Sequence, residues 1–313
     1  MGSNHRFRFG LQTSGAVSGV EWKDIARRAE ALGYSVLSVP DHFVDFELAP
    51  GPALAAAAAV TSELRVGALM FGNDYRHPAM VAKEMATLDL LSDGRVELGI
   101  GAGWQRSDYD ALGLTYDSAG VRIDRLGEAL AVIKGCWSPG PFSFAGAHYS
   151  IDGYDATPKP RQEPRPPILV GGGAPRILRL AGREADIVGI NPNLRAGAIN
   201  EDAVQSSLAD ATAQKIGWVR EGAGERFDDI ELQIRFFLTL VTDDRQAFAA
   251  SMAPAVGLTP DELLGSGVAC VGDVEEIVDQ LVRQREEWGV TYVVVGLDQC
   301  EAFAPVVARL AGT

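Results

Sequence analysis

The feature that most constrains this chain is a regular exchange between two hydrophobic periods. Short apolar, β-branched runs at 7–12, 35–39, 64–70, 95–100, 168–170, 186–190, 231–240 and 292–295 read as strands. Amphipathic or alanine-rich stretches at 18–33, 52–62, 78–91, 121–137, 175–184, 202–221, 244–253, 273–288 and 303–310 separate them and read as helices. Local signals agree: Ser18-x-x-Glu21 has capping-box spacing, and Pro78 opens a helix that stops near Asp93-Gly94. Parallel strands must be joined by crossovers, and these helices supply them. About eight strand–helix units is the count of a (β/α)8 TIM barrel. A doubly wound sheet is the rival, but Leu11-Gln12-Thr13-Ser14-Gly15 after the first strand does not fit a G-x-G-x-x-G turn.

From 138 to 167 the pattern changes. Pro139, Pro141, Pro158, Pro160, Pro164, Pro166 and Pro167 leave no room for a helix, and 142–144 and 148–151 are expected to pair as a hairpin across Gly146. The alternation then resumes, so this is an irregular excursion from one domain spanning 1–313. Pro260 to Val271 is a second, smaller interruption.

Composition bounds the partners. With 47% hydrophobic residues, 313 positions hold a large core, and a formal charge of −14 argues against nucleic acid or an anionic membrane. No apolar run approaches a membrane span; the longest lies around 53–60. The start, Met1-Gly2-Ser3-Asn4-His5-Arg6, lacks the apolar core of a signal peptide. Cys136, Cys270 and Cys300 fit neither a disulfide framework nor a metal site. A reduced, cytoplasmic protein is expected.

In a TIM barrel the chemistry sits at the C-terminal strand ends. The second strand ends in Val39-Pro40-Asp41-His42-Phe43, where an Asp-His pair can give or take a proton near neutral pH; the alternative is that Asp41 caps a turn and His42 packs. The third ends in Leu69-Met70-Phe71-Gly72-Asn73-Asp74, whose large apolar side chains suit either a bed for a flat ring or ordinary core. The fourth ends in Gly99-Ile100-Gly101-Ala102-Gly103-Trp104: alternate glycines permit close approach to a ligand, and Trp104 can stack or line a pocket. The fifth ends in Gly171-Gly172-Gly173-Ala174-Pro175-Arg176, running into a helix. Exposed N–H groups there favour a phosphate, which Arg176 would otherwise oppose; a plain tight turn is the alternative. No G-x-S-x-G, Walker or H-E-x-x-H motif occurs, and His5, His42, His77 and His148 are too scattered for a metal cluster.

These motifs together resemble the luciferase-like monooxygenase superfamily, and more narrowly its deazaflavin (coenzyme F420) oxidoreductases. The likeness runs through Val39-Pro40-Asp41-His42-Phe43, Arg76-His77-Pro78, Leu91-Ser92-Asp93-Gly94-Arg95, Gly99-Ile100-Gly101-Ala102-Gly103-Trp104, Pro166-Pro167-Ile168, Gly171-Gly172-Gly173 and Ala181-Gly182-Arg183. The resemblance implies a barrel binding a flavin or deazaflavin, with a non-prolyl cis peptide at Leu69–Met70 or its neighbour behind the ring. It implies Asp41 near the ring, His42 as the active-site histidine, and the Gly171–Gly173 loop with Arg176 on the phosphate side. Two positions depart from the pattern. Gln105-Arg106-Ser107-Asp108 stands where relatives carry a glutamate, so Asp108 is the candidate second acid with a shorter reach, and Gly72-Asn73-Asp74 replaces a usual proline.

The first reading is an F420-dependent enzyme moving a hydride to or from a small organic substrate, with His42 handling the proton and Asp41 orienting it. The alternative is an FMN-dependent monooxygenase, and a third reading is a cofactor-binding barrel without turnover. Phe43, Asn73, Trp104 and Asp108 are expected to line the substrate pocket. The resemblance also implies a homodimer, and the apolar positions Met80, Val81, Met85, Leu88 and Leu91 are more than one core-facing stripe needs.

Overall fold

The computed structural model describes residues 5–13, 15–16, 18–44 and 46–313, so the reading of Met1–Asn4 lies outside the described residues, as does Ser14. Eight parallel strands alternate with helices, the (β/α)8 barrel expected from the alternation. They are β1 (Arg8–Gln12), β2 (Val36–Val39), β3 (Arg65–Ala68), β4 (Val96–Gly101), β5 (Ile168–Gly172), β6 (Ile187–Ile190), β7 (Glu231–Arg235) and β8 (Val290–Gly296). All of β4 and all but the last residue of β8 are buried, giving continuous rather than alternating apolar runs.

The chain divides into two compact units. One comprises 1–13, 28–36 and 171–313, where β1, β8, β7 and β6 lie side by side. Gln12 is in register with Gly296, Arg235 with Val294 and Gln233 with Gly189. The other comprises 14–27 and 37–170. There β2 adjoins β3, Val66 of β3 faces Val96 of β4, and Leu98 of β4 faces Ile168 of β5.

Local chemistry explains most element ends. Ser18 accepts from the Glu21 N–H at 3.2 Å to start Gly19–Ala31, and His77 Nδ1 accepts from Ala79 to start Pro78–Leu91. Asp273 and Glu276 close a reciprocal capping box before Val274–Trp288, which stops at left-handed Gly289. Phe142–Ala145 and Ser150–Tyr154 form the expected antiparallel hairpin. Its turn is held by Glu128, which accepts from the N–H groups of Ala147, His148 and Tyr149.

Two expectations are corrected and one further element is found. The helix expected over 202–221 is two, Glu201–Gln205 and Ala209–Ala223, because the Ser206 and Ser207 hydroxyls turn back onto the Ala203 carbonyl and end the first. The strand expected over 231–240 is also two. β7 stops at Arg235, and Leu238–Val241 pairs in parallel with Ala269–Gly272, over a separate apolar cluster that includes Leu258 and Leu263. A helix at Arg106–Leu112, too short to show a period, was not expected; it carries Asp108.

Candidate active site

At the end of β2, Asp41 is buried, accepting from the Gly72 N–H at 3.1 Å and from both terminal nitrogens of Arg76, Nη2 at 3.0 Å. It was expected to orient His42. It instead ties β2 to the turn after β3, and the carboxylate that holds His42 is Asp108. His42 Nδ1 lies 2.6 Å from Asp108 Oδ2, bridging 66 positions of sequence.

Asp108 is fully buried. A buried carboxylate is tolerated only where donors replace water. Here the N–H groups of Phe43 and Val44 donate to Oδ1 at 3.0 and 3.1 Å, Gln105 adds a longer contact, and Tyr75 donates to Oδ2 at 3.3 Å. Because a carboxylate accepts, Nδ1 of His42 carries the proton, and Nε2 has no partner among the described residues. The half-buried imidazole is walled by Phe46, with ring centroids 4.8 Å apart, and edge-on by Trp104 at 5.6 Å. Phe43 is 46% exposed and meets Tyr75 edge to face. Asp108 was expected to line the substrate pocket as a second acid; it has no exposed surface, and its contacts are His42, the Phe43 and Val44 N–H groups, Tyr75 and Gln105.

β3 ends in the cis peptide Leu69–Met70, and Phe71–Gly72 then pairs with Ile100–Gly101. Leu69 and Met70 are half-buried. The glycines after β4 have internal causes. A Cβ on Gly101 would come within 2.7 Å of Met70 Sδ, and one on Gly103, whose φ is +75°, would strike the Tyr109 hydroxyl. The close approach expected to serve a ligand serves these two side chains. Tyr109 donates to Asp74 at 3.0 Å, and Arg125 pairs with Asp74 at 2.9 Å. Burial raises the Tyr75 and Tyr109 phenols, and next in size are the carboxylates of Asp108 for Tyr75 and Asp74 for Tyr109, so both remain donors. Asn73, expected at the pocket wall, is buried: its Nδ2 donates to Tyr149 at 3.3 Å and its Oδ1 has no partner.

In the other unit, the turn after β5 is equally tight. A Cβ on Gly172 would strike Ile177, and one on Gly173 the carbonyls of Asn191 and Pro192. Gly172 accepts from the Asn191 N–H at 2.9 Å. The helix Pro175–Glu184 follows with Ala174 as a cap lacking any side-chain bond, and Arg176 is exposed in its first turn. Lys215 is buried beneath this region, donating to the carbonyls of Asn191 at 2.7 Å and Ser206 at 2.6 Å; burial pushes its pKa down to about 8.

The structure brings His42, Phe43 and Trp104, named from the sequence, together with Phe46, Tyr75 and Tyr109, which the sequence reading did not name. No local period marks these three, since each reaches the site from a loop or a short helix.

The family model for luciferase-like monooxygenases matches residues 1–255, and the chain belongs to that family. It is 35% identical over 170 residues to an F420-dependent glucose-6-phosphate dehydrogenase of Kineococcus radiotolerans, covering 52% of this chain and 50% of that one. It is 32% identical over 164 residues to an FMNH2-dependent dimethylsulfone monooxygenase of Pseudomonas putida, covering 52% and 45% respectively. The matched stretches thus span about half the length of these curated relatives. Among solved structures, the coenzyme F420 dependent tetrahydromethanopterin reductase of Methanopyrus kandleri superposes with a TM-score of 0.79 at 20% identity, over 98% of this chain and 100% of that one, a likeness of fold. No helix among the described residues is long and apolar enough to cross a membrane.

Proposed function

We propose that the chain is an F420-dependent oxidoreductase acting on a small organic substrate. The observation that carries this reading is His42, held by a buried carboxylate through Nδ1 with Nε2 unpartnered at a strand end. That arrangement suits a group that must give or take one proton in a fixed direction. When bound, the deazaflavin supplies a ring carbon that gives or accepts the hydride.

The residues present fit such a ring. Leu69 and Met70 offer a half-buried apolar bed, and Asn73 Oδ1, buried without a partner, is an acceptor suited to a ring N–H. Asp41, fixed by Arg76, holds the Gly72–Asn73 turn beside them. In the other unit, Gly171, Gly172 and Gly173 with Arg176 are proposed to take a phosphate. An uncapped helix start with an exposed arginine in its first turn suits an anion. His42 moves the proton, Asp108 orients it, and Trp104, Phe46 and Phe43 limit water around the imidazole.

The relative that uses FMNH2 supports a second reading, an FMN-dependent monooxygenase. Titrating the protein with F420 and with FMN, read by fluorescence, separates the two. Tighter F420 binding is expected, whereas FMN binding tenfold tighter, about 1.4 kcal/mol, would replace the first reading with the second.

The reading further takes the whole chain as a single domain, working in the cytoplasm as a homodimer. On helix Pro78–Leu91, Val81, Met85 and Leu88 face inward while Met80, Leu90 and Leu91 are exposed. Light scattering at micromolar concentration tests the dimer, and a stable monomer would refute it.

A further inference from the structure

On β7, Glu231, Gln233 and Arg235 alternate along one face and form a polar column within the unit that also holds β1 and β8. The column changes character along its length. At one end Arg8 clasps Glu231 with two bonds, Nε at 2.7 Å and Nη2 at 2.5 Å, and lies over the Tyr292 ring at 3.8 Å. That charge is neutralised inside the fold.

Gln233, next along, is buried, and its Nε2 has no partner. It is in register with Gly189, where a Cβ would come within 2.8 Å of Gln233 Oε1, so a side chain there would displace the amide. A buried amide donor left unsatisfied is destabilising, and a bound acceptor removes that cost.

Arg235 ends the column. Its Nε donates to Gln12 Oε1 at 2.6 Å and its Nη1 to the Phe236 carbonyl, while Phe237 covers the guanidinium at 4.6 Å from the ring centroid. Nη2 has no partner, and no carboxylate of the described residues lies within ion-pair distance of this arginine. The acid that faces it is Asp298, beside Gly296 at the end of β8, near enough to act electrostatically without pairing.

We propose that Arg235 and Gln233 form a recognition site for a carboxylate of a small organic acid, with Gln12 fixing the guanidinium plane. One charged and one neutral donor, two residues apart on the same strand face and both without a partner, suit an acceptor with two oxygens, such as a carboxylate. A phosphate is a poorer match, because a dianion would face a single arginine with Asp298 beside it on a chain of charge −14. The inference stands whichever cofactor the chain uses.

Ligand-observed NMR titrations with acetate, propionate and inorganic phosphate test it in the full chain. The expected result is binding of both carboxylates, with phosphate at least fivefold weaker. Arg235→Met should weaken carboxylate binding tenfold or more and Gln233→Leu by several-fold. Gln233→Leu keeps the test open should Arg235→Met fold poorly, since it deletes a donor that has no partner. Absence of carboxylate binding, equal or tighter phosphate binding, or carboxylate affinity unchanged in the variants would overturn the proposal.

Discussion

Asp108, on the short helix after β4, and Arg235, at the end of β7, are both charged groups, and the protein treats them oppositely. Around Asp108 the network is closed: two backbone N–H groups, a phenol, an amide and an imidazole meet one buried carboxylate. Around Arg235 it is open, with Nη2 unpartnered and the nearby Gln233 amide buried without a partner. A closed network spends its donors on holding one internal group in one orientation, here the His42 ring. An open one leaves donors whose desolvation only an outside group can offset. The contrast is between the network around the proposed proton-moving group and that around the proposed ligand site.

Opening the closed network should have the largest effect. Asp108→Asn replaces an acceptor-only group with one that also donates, so His42 loses its fixed tautomer. Turnover is expected to fall about 10²–10⁴-fold, with cofactor affinity nearly unchanged. Turnover measured alongside nitrogen NMR of the imidazole checks this, and an unchanged rate with a changed tautomer would reduce Asp108 to a loop clamp.

Asp41→Ala should act on stability first. It leaves the Arg76 guanidinium without its carboxylate and the Gly72 N–H without an acceptor, at about 3 kcal/mol. Urea unfolding measures it. A loss as small as that of an exposed pair, under about 1 kcal/mol, would show that this connection is weaker than its burial suggests.

Lys215 is an intermediate case, a buried cation satisfied by two carbonyls and no carboxylate. Its folded pKa of about 8 lies below its unfolded value near 10.5, so between these pH values the unfolded chain binds more protons. The Lys215 contribution should therefore raise stability as pH climbs from about 8 to 10.5 and be flat below. In Lys215→Met that slope should vanish, as followed by melting temperature against pH.

The smallest change is expected at Gln233→Leu, which removes an unpartnered buried donor and should leave stability unchanged or slightly higher. A loss above about 2 kcal/mol on thermal melting would mean that the amide is already satisfied, and the comparison with Asp108 would fail.

The sequence by itself determined the elements and their alternation. Pro78, Ser18, Asp273 and Gly289 mark helix ends through chemistry confined to a few neighbours, and strands buried on both faces show as unbroken apolar runs. It also marked His42 as a candidate at a strand end, and the family resemblance implied the cis peptide found at Leu69–Met70. It did not show that Asp41 belongs to Arg76 and His42 to Asp108, that Gly101 and Gly103 make room for Met70 and Tyr109, or that Arg235 lacks a counter-charge. Those facts depend on strand order and register, which bring together residues tens to hundreds of positions apart. A carboxylate four residues after a tryptophan reads the same in sequence whether it faces water or is sealed beneath an imidazole. Only the tertiary packing around Arg106–Leu112 decided that, because burial is what forces a charge to find its donors.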